Sequence, residues 1–283
     1  MVGADEVKSL SVAELQAGAD HGDVVAQYQL GRAYLRGVDV PKDMQKAYSL
    51  MKSAADQGNA DAIGTLGYFY SAGIVVPKDE KQALDWFQQG AEKGSARAQL
   101  NLGKYLLNGK GDAGADVETT RKTGLQWMQK AADQKLPEAS LAYGSVFYFG
   151  DHGVSQDYQA AARYLKVAAE QGLPEAQNIM GIIENQGLIG PENQIEAEQW
   201  FRKAALQGNV KAQSNLGRVL GPSSEVRETQ IEALAWLLIA SGQNEITAKK
   251  ELQDALPGLK GGEMEAASKK AVELRKQIQP KTR

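Results

Sequence analysis

The chain has 283 residues, a net charge of −3, a pI near 5.6 and no cysteine. Without thiols there can be no disulfide framework or thiolate zinc site, and the mildly acidic balance argues against a general phosphate-binding surface, so nucleic acid is not an expected partner. No apolar run approaches the roughly 18 residues that a spanning helix needs, so no membrane-spanning segment is expected.

At the N-terminus, Met1-Val2-Gly3-Ala4 lacks the basic and apolar regions of an export signal. A short helix follows, with Ser11 and Glu14 spaced as a capping box, and it ends at Gly22, which lies 36 residues before the comparable Gly58. Residues 1–22 therefore read as an extension plus a capping half-repeat. Two readings of this start stay open: a chain from which an export signal has been removed, which places the protein in the periplasm, or a cytoplasmic protein that begins where its fold begins.

From Asp23 to Gly242 the sequence repeats itself. Gly31, Gly67, Gly103, Gly144, Gly181 and Gly217 are separated by 36, 36, 41, 37 and 36 residues, and Ala26, Ala62, Ala98, Ala139, Ala176 and Ala212 keep the same spacings. A second small column, Ala54, Gly90, Ala131, Ala168, Ala204 and Ala240, marks where a neighbouring helix must approach closely. Trp86, Trp127, Trp200 and Trp236 share one equivalent position, filled by Leu50 and Tyr164 in the other copies, and this recurrence predicts core between repeats rather than a ligand site.

Each copy reads as two helices. In the second copy Ala62, Leu66, Tyr70 and Gly73 follow steps of three and four, a Gly/Pro loop intervenes, and Ala83, Trp86, Phe87 and Gly90 open a new helical stripe. Asp43, Asp79, Thr120, Asp157, Asn193 and Thr229 are the predicted N-caps of the second helices, with Gln82, Glu196 and Glu232 completing capping boxes. Gly58, Gly94, Gly172, Gly208 and Gly242 suit a left-handed residue after the helix, and Lys135 breaks that column.

This pattern of small residues, Leu-Gly, Tyr, Gly, Pro-Lys-Asp and paired alanines resembles the Sel1-like repeat, a relative of the tetratricopeptide repeat. The resemblance implies an all-α fold: a right-handed superhelical solenoid of about six helix-turn-helix repeats over residues 23–242, with capping helices at both ends. The third copy departs by five extra residues around Lys110 to Val117, and the sixth loop has Ser223 where a glycine is usual. Residues 243–283 leave the repeat but keep helical patterns at Ile246 to Leu256 and Glu263 to Ile278, separated by Pro257-Gly258 and Gly261-Gly262. From Ile246 onward nine Lys/Arg face five Asp/Glu, but the signs alternate, which suits a solvated capping face better than a binding block.

No catalytic, cofactor-binding or metal-ligating set is legible. His21 and His152 are the only histidines, both in loop positions and outside any metal-ligand spacing. Gly103 to Gly111 imitates a phosphate loop only superficially, since Gly111 stands where Ser or Thr would hold magnesium.

The informative positions are those that the repeat leaves free on each first helix. With Ala26, Leu30 and Tyr34 as the buried stripe, Val25, Tyr28, Arg32 and Arg36 turn to the other side, which in such repeats faces a concave groove. Equivalents are Asp61, Tyr68 and Ala72, then Arg97, Leu100, Lys104 and Asn108, then Glu138, Leu141, Ser145 and Phe149. The expected partner-binding set is Tyr28, Arg32, Arg36, Tyr68, Arg97, Leu100, Lys104 and Leu141, a mixture of rings, aliphatics and cations suited to a protein surface. For Leu100, Leu141 and Phe149, packing between helices is an equal alternative. The resemblance implies a non-enzymatic protein-binding role, among which envelope adaptors and immunity proteins against secreted effectors, such as type VI phospholipases, are examples. A scaffold joining two partners and a hydrolytic enzyme with a hidden acid–base pair are the other readings.

Overall fold

The computed structural model describes residues 10–110, 116–222, 226–259 and 261–278, and among these residues the fold is all-α, with fifteen α-helices and no strand. It divides into two compact units, Met1–Ala139 and Ser140–Arg283. The first unit contains α1 (Val12–Asp20), α2 (Val24–Arg36), α3 (Met44–Asp56), α4 (Ala60–Ala72), α5 (Glu80–Glu92), α6 (Ala96–Leu107) and α7 (Val117–Asp133). Helix α8 (Pro137–Phe149) starts in the first unit and continues into the second. The second unit goes on with α9 (Tyr158–Glu170), α10 (Pro174–Asn185), α11 (Gln194–Leu206), α12 (Val210–Leu220) and α13 (Arg227–Ser241). It closes with α14 (Ile246–Ala255), a 3-10 turn at Leu256–Gly258 and α15 (Glu263–Gln277). In each unit consecutive helices pair and successive pairs stack; α1 covers the end of α2, and α14 and α15 both pack on α13.

The recurring glycines are explained by what faces them. A Cβ on Gly67 would stand 2.6 Å from Phe87 Cδ1, and one on Gly181 2.6 Å from Phe201 Cδ1. The same construction puts Met128, Leu165 and Leu237 within 2.4–2.9 Å of Gly103, Gly144 and Gly217. Each first helix thus gives up a side chain so that a large buried residue of its own second helix can lie on its backbone. Burying such a Leu, Met or Phe side chain is worth about 1.5–3 kcal/mol, which repetition supplies once per pair. The alanine column is equally closed, with Ala62, Ala98, Ala139, Ala176 and Ala212 at 0% exposure.

The tryptophan column packs as core between successive pairs, to different depths. Trp236 is fully buried and Trp200 nearly so, while Trp86 and Trp127 are half-buried. Trp86 lies against the core of α3 and α4, and Trp127 against that of α5 and α6, in each case the two helices that precede its own. Lys130 and Lys203 cover the outer faces of Trp127 and Trp200 at 4.0 and 4.4 Å from the ring centroids.

Several predicted caps are corrected. Asp43, Asp79, Asp157 and Asn193 cap α3, α5, α9 and α11. Helix α7, however, is capped by Asp116, whose carboxylate accepts from Thr119 N at 2.9 Å, so Thr120 lies inside the first turn. The added residues before α7 lengthen it to 17 residues and bring a stronger cap one turn earlier. Helix α13 starts after Val226, with no side-chain cap, and Thr229 is already helical; Ser223 lies outside the described residues. Gln82 and Glu196 touch only the side chains of Asp79 and Asn193, at 3.1 and 3.3 Å. The reason is that the backbone N–H groups of Asp79 and Asn193 already donate to Tyr70 and Glu184 of the preceding helices. Glu232 points instead to Arg202 and Trp236. Only Ser11 and Glu14 form a reciprocal capping box as predicted.

Gly58, Gly94, Gly172 and Gly208 adopt the predicted left-handed conformation, and Lys135 holds it at φ 59° without the freedom of glycine. Gly242 does not: its φ is −62°, and Asn244 turns the chain two residues later at φ 66°. Asparagine tolerates this region better than most side chains, so the turn can shift without a glycine.

A buried amide ladder also joins neighbouring helices. Gln27, Gln99, Gln177 and Gln213 follow the alanine column and donate to Ala19, Ala91, Ala169 and Ala205 carbonyls at 3.4, 3.1, 3.0 and 3.2 Å. Their oxygens accept from Gln57, Gln134, Gln207 and Gln243 at 2.8–2.9 Å. Ile63 and Ser140 occupy the same column in the second and fourth copies, and the Ser140 hydroxyl is buried without a hydrogen-bond partner.

Candidate functional site

In the first unit the free sides of α2, α4 and α6 line one open groove of about 370 Å³. Helical spacing delivers the lining. Tyr28, Arg32 and Arg36 succeed one another at four-residue steps on α2, Asp61, Thr65 and Tyr68 follow on α4, and Arg97, Leu100, Asn101 and Lys104 on α6. Leu35, Gly64 and Glu138 complete the wall. Gly64 forms part of the floor because α6 presses close there: a Cβ on Gly64 would meet Ala98 Cβ at 2.6 Å.

The groove mixes aromatic rings with cations. The Arg32 guanidinium lies over the Tyr28 ring at 5.6 Å from its centroid. Burial first, then the negative charge of the nearby Asp61, pushes the Tyr28 phenol above its ordinary pKa. Asp61 accepts from Ser95 Oγ, at the N-cap of α6. Arg97 and Glu138 approach to 3.7 Å, but both are about half exposed, so the pair adds little stability. Burial first, and then the positive charges of Arg32 and Arg97, lowers the pKa of Arg36. Cations held this near one another are a local electrostatic cost that an incoming anion would relieve.

Seven members of the predicted set, Tyr28, Arg32, Arg36, Tyr68, Arg97, Leu100 and Lys104, line this groove. Leu141 does not: it belongs to the second unit, half-buried against the core of α9 and α10. Leu100 packs between helices, being only 5% exposed, and at the same time lines the groove. Phe149 is exposed at 60%, in edge contact with Tyr148 at 4.9 Å between centroids. Leu35, Thr65 and Asn101 were outside the expected set, although each lies one position or one turn from a member and the same helical face could have included them.

Elsewhere the polar residues serve structure. His21 bonds the Ala17 carbonyl at 2.7 Å, and His152 sits in a loop at φ 57°. Gly103, the first glycine of the apparent phosphate loop, lies inside α6 against Met128; Gly111 lies outside the described residues. Among the described residues, no group of three or more His, Asp or Glu side chains is placed to hold a metal ion, and no helix is long and apolar enough to cross a membrane.

The Sel1 repeat profile matches the chain in six consecutive segments, residues 24–59, 61–95, 96–136, 137–173, 174–209 and 210–245. Among solved structures, a Sel1 repeat protein from Oxalobacter formigenes is similar at 26% identity and a TM-score of 0.66, over 82% of this chain and 99% of that one. A Sel1 repeat protein from Klebsiella pneumoniae aligns at 24% identity and a TM-score of 0.51, over 74% and 99% of the two chains. An immunity protein from Pseudomonas aeruginosa aligns at 21% identity and a TM-score of 0.50, over 71% and 74%. The last two likenesses concern the fold. No curated protein matches the sequence significantly.

Proposed function

The chain belongs to the Sel1 repeat family, and on that premise we propose that it is a non-enzymatic binding protein holding a protein partner in the groove of α2, α4 and α6. The observation that carries this reading is the convergence of Tyr28, Arg32, Arg36, Tyr68, Arg97 and Lys104 on one open surface at positions the repeat does not require. Rings supply contact area at small entropic cost, and guanidinium groups supply directional hydrogen bonds, which is why both concentrate at energetic centres of interfaces.

The finer reading is that the partner is a secreted toxic effector, such as a type VI phospholipase, neutralised when the groove closes on it, and that the encounter takes place in the bacterial periplasm. What supports it is the fold shared with the Pseudomonas aeruginosa immunity protein. The test is affinity capture with the parent chain, with Arg32→Ala plus Tyr68→Ala, and with Lys269→Ala plus Lys270→Ala on α15. The groove variant should lose a stoichiometric partner by about tenfold or more in affinity while melting like the parent. Loss confined to the α15 variant would move the interface away from the groove.

A further inference from the structure

The groove is left with more positive charge than its own acids answer. Four cations line it, Arg32, Arg36, Arg97 and Lys104, against the carboxylates of Asp61 and Glu138. Asp61 already accepts from Ser95, and Glu138 pairs with Arg97. Among the described residues, no carboxylate comes within 4 Å of Arg32, Arg36 or Lys104. Arg36 is exposed in this groove one turn from Arg32, and the positive charges of Arg32 and Arg97 both act on it.

Spacing narrows the chemistry further. Arg32 and Arg36 stand one turn apart on α2, a rise of about 6 Å. Alternate residues of an extended chain emerge on the same side roughly 7 Å apart. Two carboxylates separated by one residue therefore match the two guanidinium groups, and Lys104 on α6 offers a third seat across the groove.

We propose that the groove seats an extended acidic segment of the protein partner, with Glu-x-Glu carboxylates on Arg32, Arg36 and Lys104 and their methylenes against Tyr28 and Leu100. This inference rests on the protein-binding reading above and specifies what that site recognises. Guanidinium groups bind carboxylates through paired N–H donors, and the half-buried rings and Leu100 lower the local dielectric that would otherwise weaken those bonds.

The probe is fluorescein-labelled Gly-Glu-Ser-Glu-Ser-Glu-Gly, compared by anisotropy with the isosteric Gln peptide, on the full chain. The Glu peptide should bind at least about tenfold more tightly, with affinity falling as salt rises. Arg32→Gln plus Arg36→Gln should remove about tenfold or more of that affinity while melting no lower than the parent, because it also removes repulsion. Lys269→Gln plus Lys270→Gln should leave binding unchanged. Sodium phosphate should displace the peptide no better than sodium chloride at matched ionic strength. Equal binding of the two peptides, undiminished binding by the groove variant, or preferential displacement by phosphate would each overturn the proposal. If the peptides fail while partner capture still requires Arg32 and Tyr68, the acidic segment is wrong and the protein-binding reading stands.

Discussion

Replacing Gly67 by leucine tests the packing logic of the repeat at a point where two effects oppose each other. A Cβ alone would lie 2.6, 2.8 and 2.9 Å from three ring carbons of Phe87, against the 3.4 Å at which ordinary contact begins. Phe87 is only 4% exposed, so the ring has no open space to enter. Overpacking of this kind costs about 1–3 kcal/mol and occasionally more, whereas replacing glycine within a helix returns about 0.8 kcal/mol of propensity. The steric effect wins, with a net loss of about 1 kcal/mol and at most about 2. Urea unfolding of Gly67→Leu should show a lower midpoint, with the slope compared with that of the parent, since arrays of repeats do not always unfold in one step. Asp85→Leu on the exposed side of α5 should change stability by no more than about 0.5 kcal/mol. Adding Phe87→Ala to Gly67→Leu should cost at least about 1 kcal/mol less than the sum of the single changes, because each makes room for the other. An unchanged midpoint for Gly67→Leu, or strict additivity with Phe87→Ala, would refute the assigned face-to-face register of α4 and α5.

Trp236→Ala, at a site of 0% exposure, should cost about 3–5 kcal/mol; Trp86→Ala, half-buried, should cost roughly half as much by the same unfolding assay. Gln207→Ala removes the donor to Gln177 Oε1, which stays buried, and should destabilise by about 1–3 kcal/mol, whereas changing both glutamines to leucine should be less harmful than the single change suggests. The Glu232 carboxyl lies below the usual carboxylate range: burial opposes this, but the hydrogen bond and charge of Arg202 and the Trp236 indole N–H outweigh it. With its folded pKa depressed, Glu232 contributes stability above its unfolded pKa of about 4.3, and that contribution is lost as pH falls through the folded value. The stability difference between parent and Glu232→Gln should therefore shrink as pH drops below about 5, and a constant difference would contradict it.

The fold was legible in the sequence because the constraints are steric and recur. Gly67, Gly103 and Gly181 stand opposite Phe87, Met128 and Phe201, and no other residue type leaves those side chains room. Caps were less legible, since several residues can serve within one turn: Asp116 replaces Thr120, and Asn244 takes the turn assigned to Gly242. The supposed capping boxes failed for a tertiary reason, as the carbonyls of Tyr70 and Glu184 already accept the N–H groups in question. The amide ladder was visible as the recurrence of Gln27, Gln99, Gln177 and Gln213, but polarity masked its buried position. In the groove, helical periodicity identified the sides of α2, α4 and α6 but could not show that Asp61 and Glu138 pair with Ser95 and Arg97, which leaves Arg36, among the described residues, with no carboxylate within 4 Å.

The central claim, that the groove of α2, α4 and α6 is where a protein partner sits, is tested most directly by hydroxyl-radical footprinting of the captured complex. Tyr68 is 43% exposed in the groove, and Phe149, 60% exposed at the end of α8, is the internal reference. The account predicts that partner binding slows modification of Tyr68 several-fold and leaves Phe149 unchanged; protection of Phe149 with Tyr68 still fully reactive would contradict it.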